Sequence, residues 1–128
     1  MEYDVLVKGL NPCVEEEVII EADGIVLTCF APWGFPAIEV GKKYKANIGV
    51  TILDNLGMKE TADSSNSFKQ IGSTFAYCIR GKFDLDSRIL DAGIQIRFDE
   101  DEVDLHDYGY LDGRYVEIKV DRIDIEFE

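Results

Sequence analysis

At 128 residues, with 46% hydrophobic residues, the chain has the size and composition of one globular domain, and neither number suits a disordered polymer. Thirteen Lys and Arg stand against 26 Asp and Glu, a formal net charge of -13. That charge argues against binding to nucleic-acid phosphates or an anionic lipid surface and favours a basic partner, although acidity also serves plain solubility.

Strand-favouring Val, Ile, Phe, Tyr and Thr are frequent, and the polar/apolar pattern repeats every two residues far more often than every 3.6. A first strand is predicted over 3–8, ended by Gly9 and Asn11-Pro12, with an edge free to pair a second chain. A second follows over 16–22. Asp23-Gly24 joins it to Ile25–Phe30, and this dipeptide predicts a hairpin because a type I′ turn needs positive φ at both central positions. Pro32, Gly34 and Pro36 then break the strand pattern. From Tyr44 to Leu53, Tyr44, Ala46, Ile48, Val50 and Ile52 alternate with Lys45, Asn47, Gly49 and Thr51, the signature of a strand buried on one face.

Residues 54–67 are polar and read as the longest loop. Residues 68–84 read as one long strand, with Gly72 and Gly81 letting it curl or bulge. The run 86–92, with Asp86 or Ser87 as cap and Gly93 as terminator, predicts one or two helical turns. Asp84 and Asp86 form an Asp-x-Asp pair best read as part of that cap. Strand alternation resumes at Ile94, Ile96 and Phe98. Asp112-Gly113 predicts a second hairpin-type turn. In the last segment, Val116, Ile118 and Val120 hold one phase and Ile123, Ile125 and Phe127 the opposite one, so an extra residue near Asp121-Arg122 must re-phase the strand.

The pattern predicts an all-β fold over 1–128: a small antiparallel barrel of the OB type, with an antiparallel β-sandwich as the other architecture it fits. There is no signature motif. Cys13, Cys29 and Cys78 are an odd number without paired spacing, so no disulfide framework is expected. Cys29 and Cys78 sit in apolar strand patterns and Cys13 in a turn. No basic and apolar leader opens the sequence, and no apolar run reaches the ~18 residues of a membrane helix, so a cytoplasmic protein is expected.

Candidate site residues fall in two stretches. The first holds six carboxylates, Asp99, Glu100, Asp101, Glu102, Asp104 and Asp107, together with His106, the one histidine of the chain. It fails as an EF-hand: counted from Asp99, the sixth position is Asp104 rather than Gly, and the twelfth is Tyr110 rather than Glu. A solvated acidic loop, or a docking surface for a basic protein, fits better. A zinc site lacks its Cys and His spacing, and no phosphate-binding glycine loop is present, so no metal or cofactor is expected. No Ser or Cys in a nucleophile turn accompanies His106, so no catalytic residue is assigned. The second stretch is the aromatic loop around Trp33 and Phe35, to which Tyr108 and Tyr110 add further aromatics. Exposed, these side chains would be binding anchors; tucked in, they would plug a barrel.

Two functions are compatible with this pattern. The first is a non-enzymatic, acidic binding domain for a basic protein, of the immunity-protein or nucleic-acid-mimic kind. The alternative is a small enzyme or ligand-binding barrel with a pocket beside His106, Tyr108 and Tyr110.

Overall fold

The computed structural model describes residues 2–32, 37–53, 56–99 and 103–128. Its strands are β1 (Glu2–Leu10), β2 (Glu17–Ala22), β3 (Ile25–Phe30), β4 (Lys43–Thr51), β5 (Lys59–Glu60), β6 (Ser67–Gln70), β7 (Tyr77–Asp84), β8 (Ile89–Asp91), β9 (Gln95–Arg97), β10 (Tyr115–Val120) and β11 (Arg122–Phe127). Five of them close a barrel in the order β1-β2-β3-β11-β4, with β1 returning to pair β4. The contact between β3 and β11 is parallel, at Asp124 opposite Phe30, and the other barrel pairs are antiparallel. This is the small OB-type barrel expected. A second sheet, β5-β10-β7-β8-β9 with β6 beside β7, is inserted between barrel strands β4 and β11.

Local chemistry explains the turns. Asp23 (φ 49°) and Gly24 (φ 80°) supply the two positive-φ positions of the hairpin between β2 and β3. Between β1 and β2 the register slips so that Lys8 is an extra residue, a bulge that lets β1 bend around the barrel. β1 is paired on both sides, so it is no edge: barrel closure removes the dimerising edge expected at 3–8.

Four expected elements differ. The loop expected over 54–67 carries the short strand β5, which pairs β10, and buries Leu56 and Met58, because the polar residues around them mask two apolar anchors. The long strand over 68–84 is a hairpin, β6 folding back on β7. Gly72 (φ 61°) turns the chain there, and the Thr74 hydroxyl donates to the Ile71 carbonyl at 2.6 Å. Apolar alternation runs through this turn, so periodicity alone could not mark it. The helix expected over 86–92 is a tight turn followed by β8. Asp84 accepts the Asp86 amide at 3.1 Å through Oδ1, and Arg88 takes φ 59°, so the supposed helix caps serve a strand-to-strand turn. Asp112-Gly113 (φ -55° and 76°) is a type II turn leading from a 3₁₀ helix, His106–Leu111, into β10 rather than a hairpin between strands.

The re-phasing at Asp121 is a change of sheet. β10 pairs β7 in the second sheet and β11 pairs β4 in the barrel. Both phases are therefore buried: Val116, Ile118 and Val120 in one, Ile123 and Ile125 in the other. Asp121 braces the junction, donating its amide to the Thr51 carbonyl at 2.9 Å and accepting the Leu53 amide at 2.7 Å. The two sheets share one core, and among the described residues no polar or charged side chain is buried. Two tyrosines tie them further: the Tyr77 hydroxyl accepts the Thr28 amide at 2.8 Å, and the Tyr3 hydroxyl accepts the Gln95 amide at 2.6 Å. Among the described residues no helix is long and apolar enough to cross a membrane.

Candidate functional site

The two described ends of the acidic stretch, at Asp99 after β9 and Val103 before the 3₁₀ helix, lie beside the turn between β7 and β8. Arg88, in that turn, holds both ends of the stretch. Its Nε donates to the Phe98 carbonyl at 2.9 Å, and one Nη donates to the carbonyls of Asp99 (3.2 Å) and Val103 (2.6 Å). The Val103 amide in turn donates to the Asp99 carbonyl at 2.9 Å. A guanidinium can do this because its fan of donors meets several carbonyls at once.

The same turn gathers carboxylates. Asp112 accepts the Leu85 amide at 3.0 Å and Asp104 accepts the His106 amide at 2.9 Å. Asp86, Arg88, Asp104 and His106 line a hollow of about 540 Å³ on one side of the turn. Asp84, Asp91, Asp112, Ser87 and Lys82 line a second hollow, of about 500 Å³, on the other. Among the described residues, Asp84, Asp86, Asp104, Asp107 and Asp112 form no ion pair, and Arg88 offers them none because it is committed to main-chain oxygens.

On the rest of the second sheet, Glu60 and Glu117 have cations. Glu117 meets Arg80 Nε at 2.9 Å and Lys59 Nζ at 3.1 Å, and these bonds hold its carboxyl below the usual range. Arg114 meets Glu60 at 2.9 Å, and Lys42 pairs with Glu39. At the β7–β8 end, carboxylates outnumber the cations Arg88 and Lys82 that line the same hollows.

Of the expected acidic surface, Asp99, Asp104 and Asp107 are exposed, while Glu100, Asp101 and Glu102 lie outside the described residues. Trp33 and Phe35 also lie outside them. Tyr108 is half-buried against the core and its hydroxyl donates to the Leu56 carbonyl, tying the 3₁₀ helix to the segment after β4. Tyr110 is 70% exposed on the same helix. His106 is exposed at the rim of its hollow. Among the described residues no three potential ligands converge on a metal position. Cys29 is buried and desolvation pushes its thiol far above the ordinary range, leaving it inert.

In the barrel, β2 turns Glu17, Ile19 and Glu21 outward, and the Thr28 amide of β3 donates to the Tyr77 hydroxyl.

The whole chain, residues 1–128, matches the family model described as Uncharacterised conserved protein UCP019853. The chain belongs to this family. No curated protein and no solved structure matches it.

Arg88 and Asp112 were missed as site residues in the sequence. Their partners lie 10 to 27 positions away along the chain, and no local motif signals such bonds.

Proposed function

We propose that this family member is a non-enzymatic binding domain of the cytoplasm that presents the acidic β7–β8 end to a basic protein, as an immunity protein or a nucleic-acid mimic would. One observation carries the reading: Asp84, Asp86, Asp104 and Asp112 line the two hollows beside one turn and form no ion pair among the described residues, outnumbering Arg88 and Lys82 there, whereas Glu60 and Glu117 elsewhere on the second sheet are paired. A surface dominated by charge of one sign favours fast encounter with a surface of the opposite sign. Exposed Tyr110, on the same helix as Asp107, supplies an aromatic anchor beside the charge. The same charge disfavours nucleic acid and anionic membranes as partners.

The test is capture of partners from a native lysate by wild type and two triple variants of equal net charge. Reversing Asp86, Asp104 and Asp107 to Lys should abolish capture; reversing Asp4, Glu15 and Glu16 should spare it. Association with the captured protein should slow roughly tenfold or more between about 0.05 and 0.5 M salt. Equal loss in both variants, or a salt-insensitive rate, overturns the proposal.

A ligand-binding or catalytic role at His106 is the second reading, favoured by the hollow that His106 shares with Asp86, Arg88 and Asp104. Its sign would be a small molecule that shifts the His106 ring resonances and is lost in His106→Ala.

A further inference from the structure

On the opposite sheet, the outward faces of β4 and β11 form a groove of about 460 Å³. Three cross-strand rows make its floor: Thr51 opposite Arg122, Gly49 opposite Asp124, and Asn47 opposite Glu126. Arg122 is fixed from two directions. Its Nε donates to Asp124 Oδ1 at 3.0 Å, and its Cζ lies 4.2 Å from the centre of the Phe30 ring. Phe30 is itself held edge-on by Phe75, with ring centres 5.3 Å apart. Asp124 is steadied in turn by the Thr51 hydroxyl, which donates to its Oδ2. Among the described residues, neither Nη atom of Arg122 has a partner. A guanidinium so immobilised loses little side-chain freedom when a carboxylate docks on its remaining donors.

Gly49 is the independent observation. It sits within β4, its φ is not in the left-handed region, and a Cβ built on it would meet nothing within 4 Å. Neither a turn nor a close contact requires glycine there, and a glycine inside a strand weakens it. Its effect is to leave bare backbone beside Asp124, opening the floor of the groove where a ligand can approach.

The lining also selects charge. Asp124 and Glu126 repel a multiply charged anion, and a simple cation would leave the remaining donors of Arg122 unused. A molecule carrying one carboxylate and one ammonium a few ångströms apart satisfies both ends, with the Asn47 amide as a further polar contact. We propose that this groove binds a small zwitterion of the α-amino-acid type, its carboxylate on the Nη atoms of Arg122 and its ammonium facing Asp124 and Glu126 above Gly49. This site is separate from the acidic end, and each proposal stands or falls without the other.

The test is an NMR titration of the isotope-labelled protein with each standard L-amino acid, followed by the N-acetyl and carboxamide derivatives of any that binds. At least one free amino acid should saturably shift the amides of Gly49, Thr51 and Asp124, and blocking either charge should weaken it roughly tenfold or more. Arg122→Gln should abolish binding. Gly49→Val should retain or raise the melting temperature and yet weaken binding by a similar factor, which separates loss of the site from loss of the fold. No shift with any amino acid at about 10 mM, equal binding of a blocked derivative, or unchanged binding by Gly49→Val overturns the proposal.

Discussion

At Gly81 a Cβ would stand 2.4 Å from the Asp91 carbonyl oxygen and 2.9 Å from the Ala92 Cα. Here β7 passes from pairing β6 to pairing β8, and the chain after β8 crosses directly over it. Backbone cannot yield as a flexible side chain does, so Gly81→Ala should destabilise by about 1–3 kcal/mol, read as a lower urea midpoint at unchanged slope. Tyr77 makes a similar point with a hydrogen bond. Tyr77→Phe leaves the Thr28 amide without its acceptor and should cost about 1–3 kcal/mol, with Thr28 exchanging its amide proton faster than its neighbours. Two carboxylates shift in opposite directions. Bonds from Arg80 and then Lys59 lower Glu117, whereas desolvation raises Asp124 against the opposing pull of Thr51 and Arg122. Glu117 therefore stabilises the fold above the ordinary carboxylate range, and this contribution is lost as pH falls through its depressed value. Asp124 works the other way: protonation relieves the burial penalty, so its contribution improves as pH falls from its raised value to the ordinary value of about 3.9. Measured by urea unfolding across that window, wild type should gain stability relative to Asp124→Asn as pH falls. A gap that widens in the variant's favour contradicts this assignment.

Among the elements, the β7–β8 turn does most to organise the candidate docking end, and it does so through Arg88. Arg88→Ala would leave the carbonyls of Phe98, Asp99 and Val103 to find water, loosening both ends of the acidic stretch. The expected result is faster hydrogen exchange at the Phe98 and Val103 amides, with barrel amides such as Ile20 and Ile125 unaffected. The hairpin at Asp23-Gly24 and the alternation of β4 were legible in the sequence because their causes are local: positive φ in one case, a half-buried face in the other. The phase change at Asp121 was legible too, though only the pairing of β10 with β7 and of β11 with β4 shows that it marks a change of sheet. The break between β6 and β7 was not, since Phe75 and Tyr77 continue the apolar alternation across it while contacting β3 from a turn and a strand. The helix expected over 86–92 failed for a related reason. Asp and Ser side chains bond nearby amides in turns as readily as at helix starts, and only long-range pairing with β7 and β9 decides between them. Of the candidate site, the acidic residues were legible as composition. The clamp at Arg88 and the stacked Arg122 were not, because each depends on partners brought together by the fold.

For the molecule as a whole, a net charge of -13 has opposite effects on folding and on association. Crowded carboxylates repel one another in the compact state, and added salt screens that repulsion. The melting temperature should therefore rise between about 0.02 and 0.5 M sodium chloride, while any complex formed through the acidic end weakens over the same range. A melting temperature that falls with salt would mean that the ion pairs around Glu117 outweigh the general repulsion. β11, which completes the barrel, follows every other strand in chain order. During synthesis, β1 to β4 emerge first, and β1 can pair with β2 and β4 while β3 still lacks its parallel neighbour. The ribosome must deliver the whole inserted sheet before that last stave arrives, so the growing chain carries an incomplete cylinder with open strand edges. Such a nascent chain invites chaperone binding or mispairing with its neighbours on the same message, and its closure should rank among the slow, late events of folding.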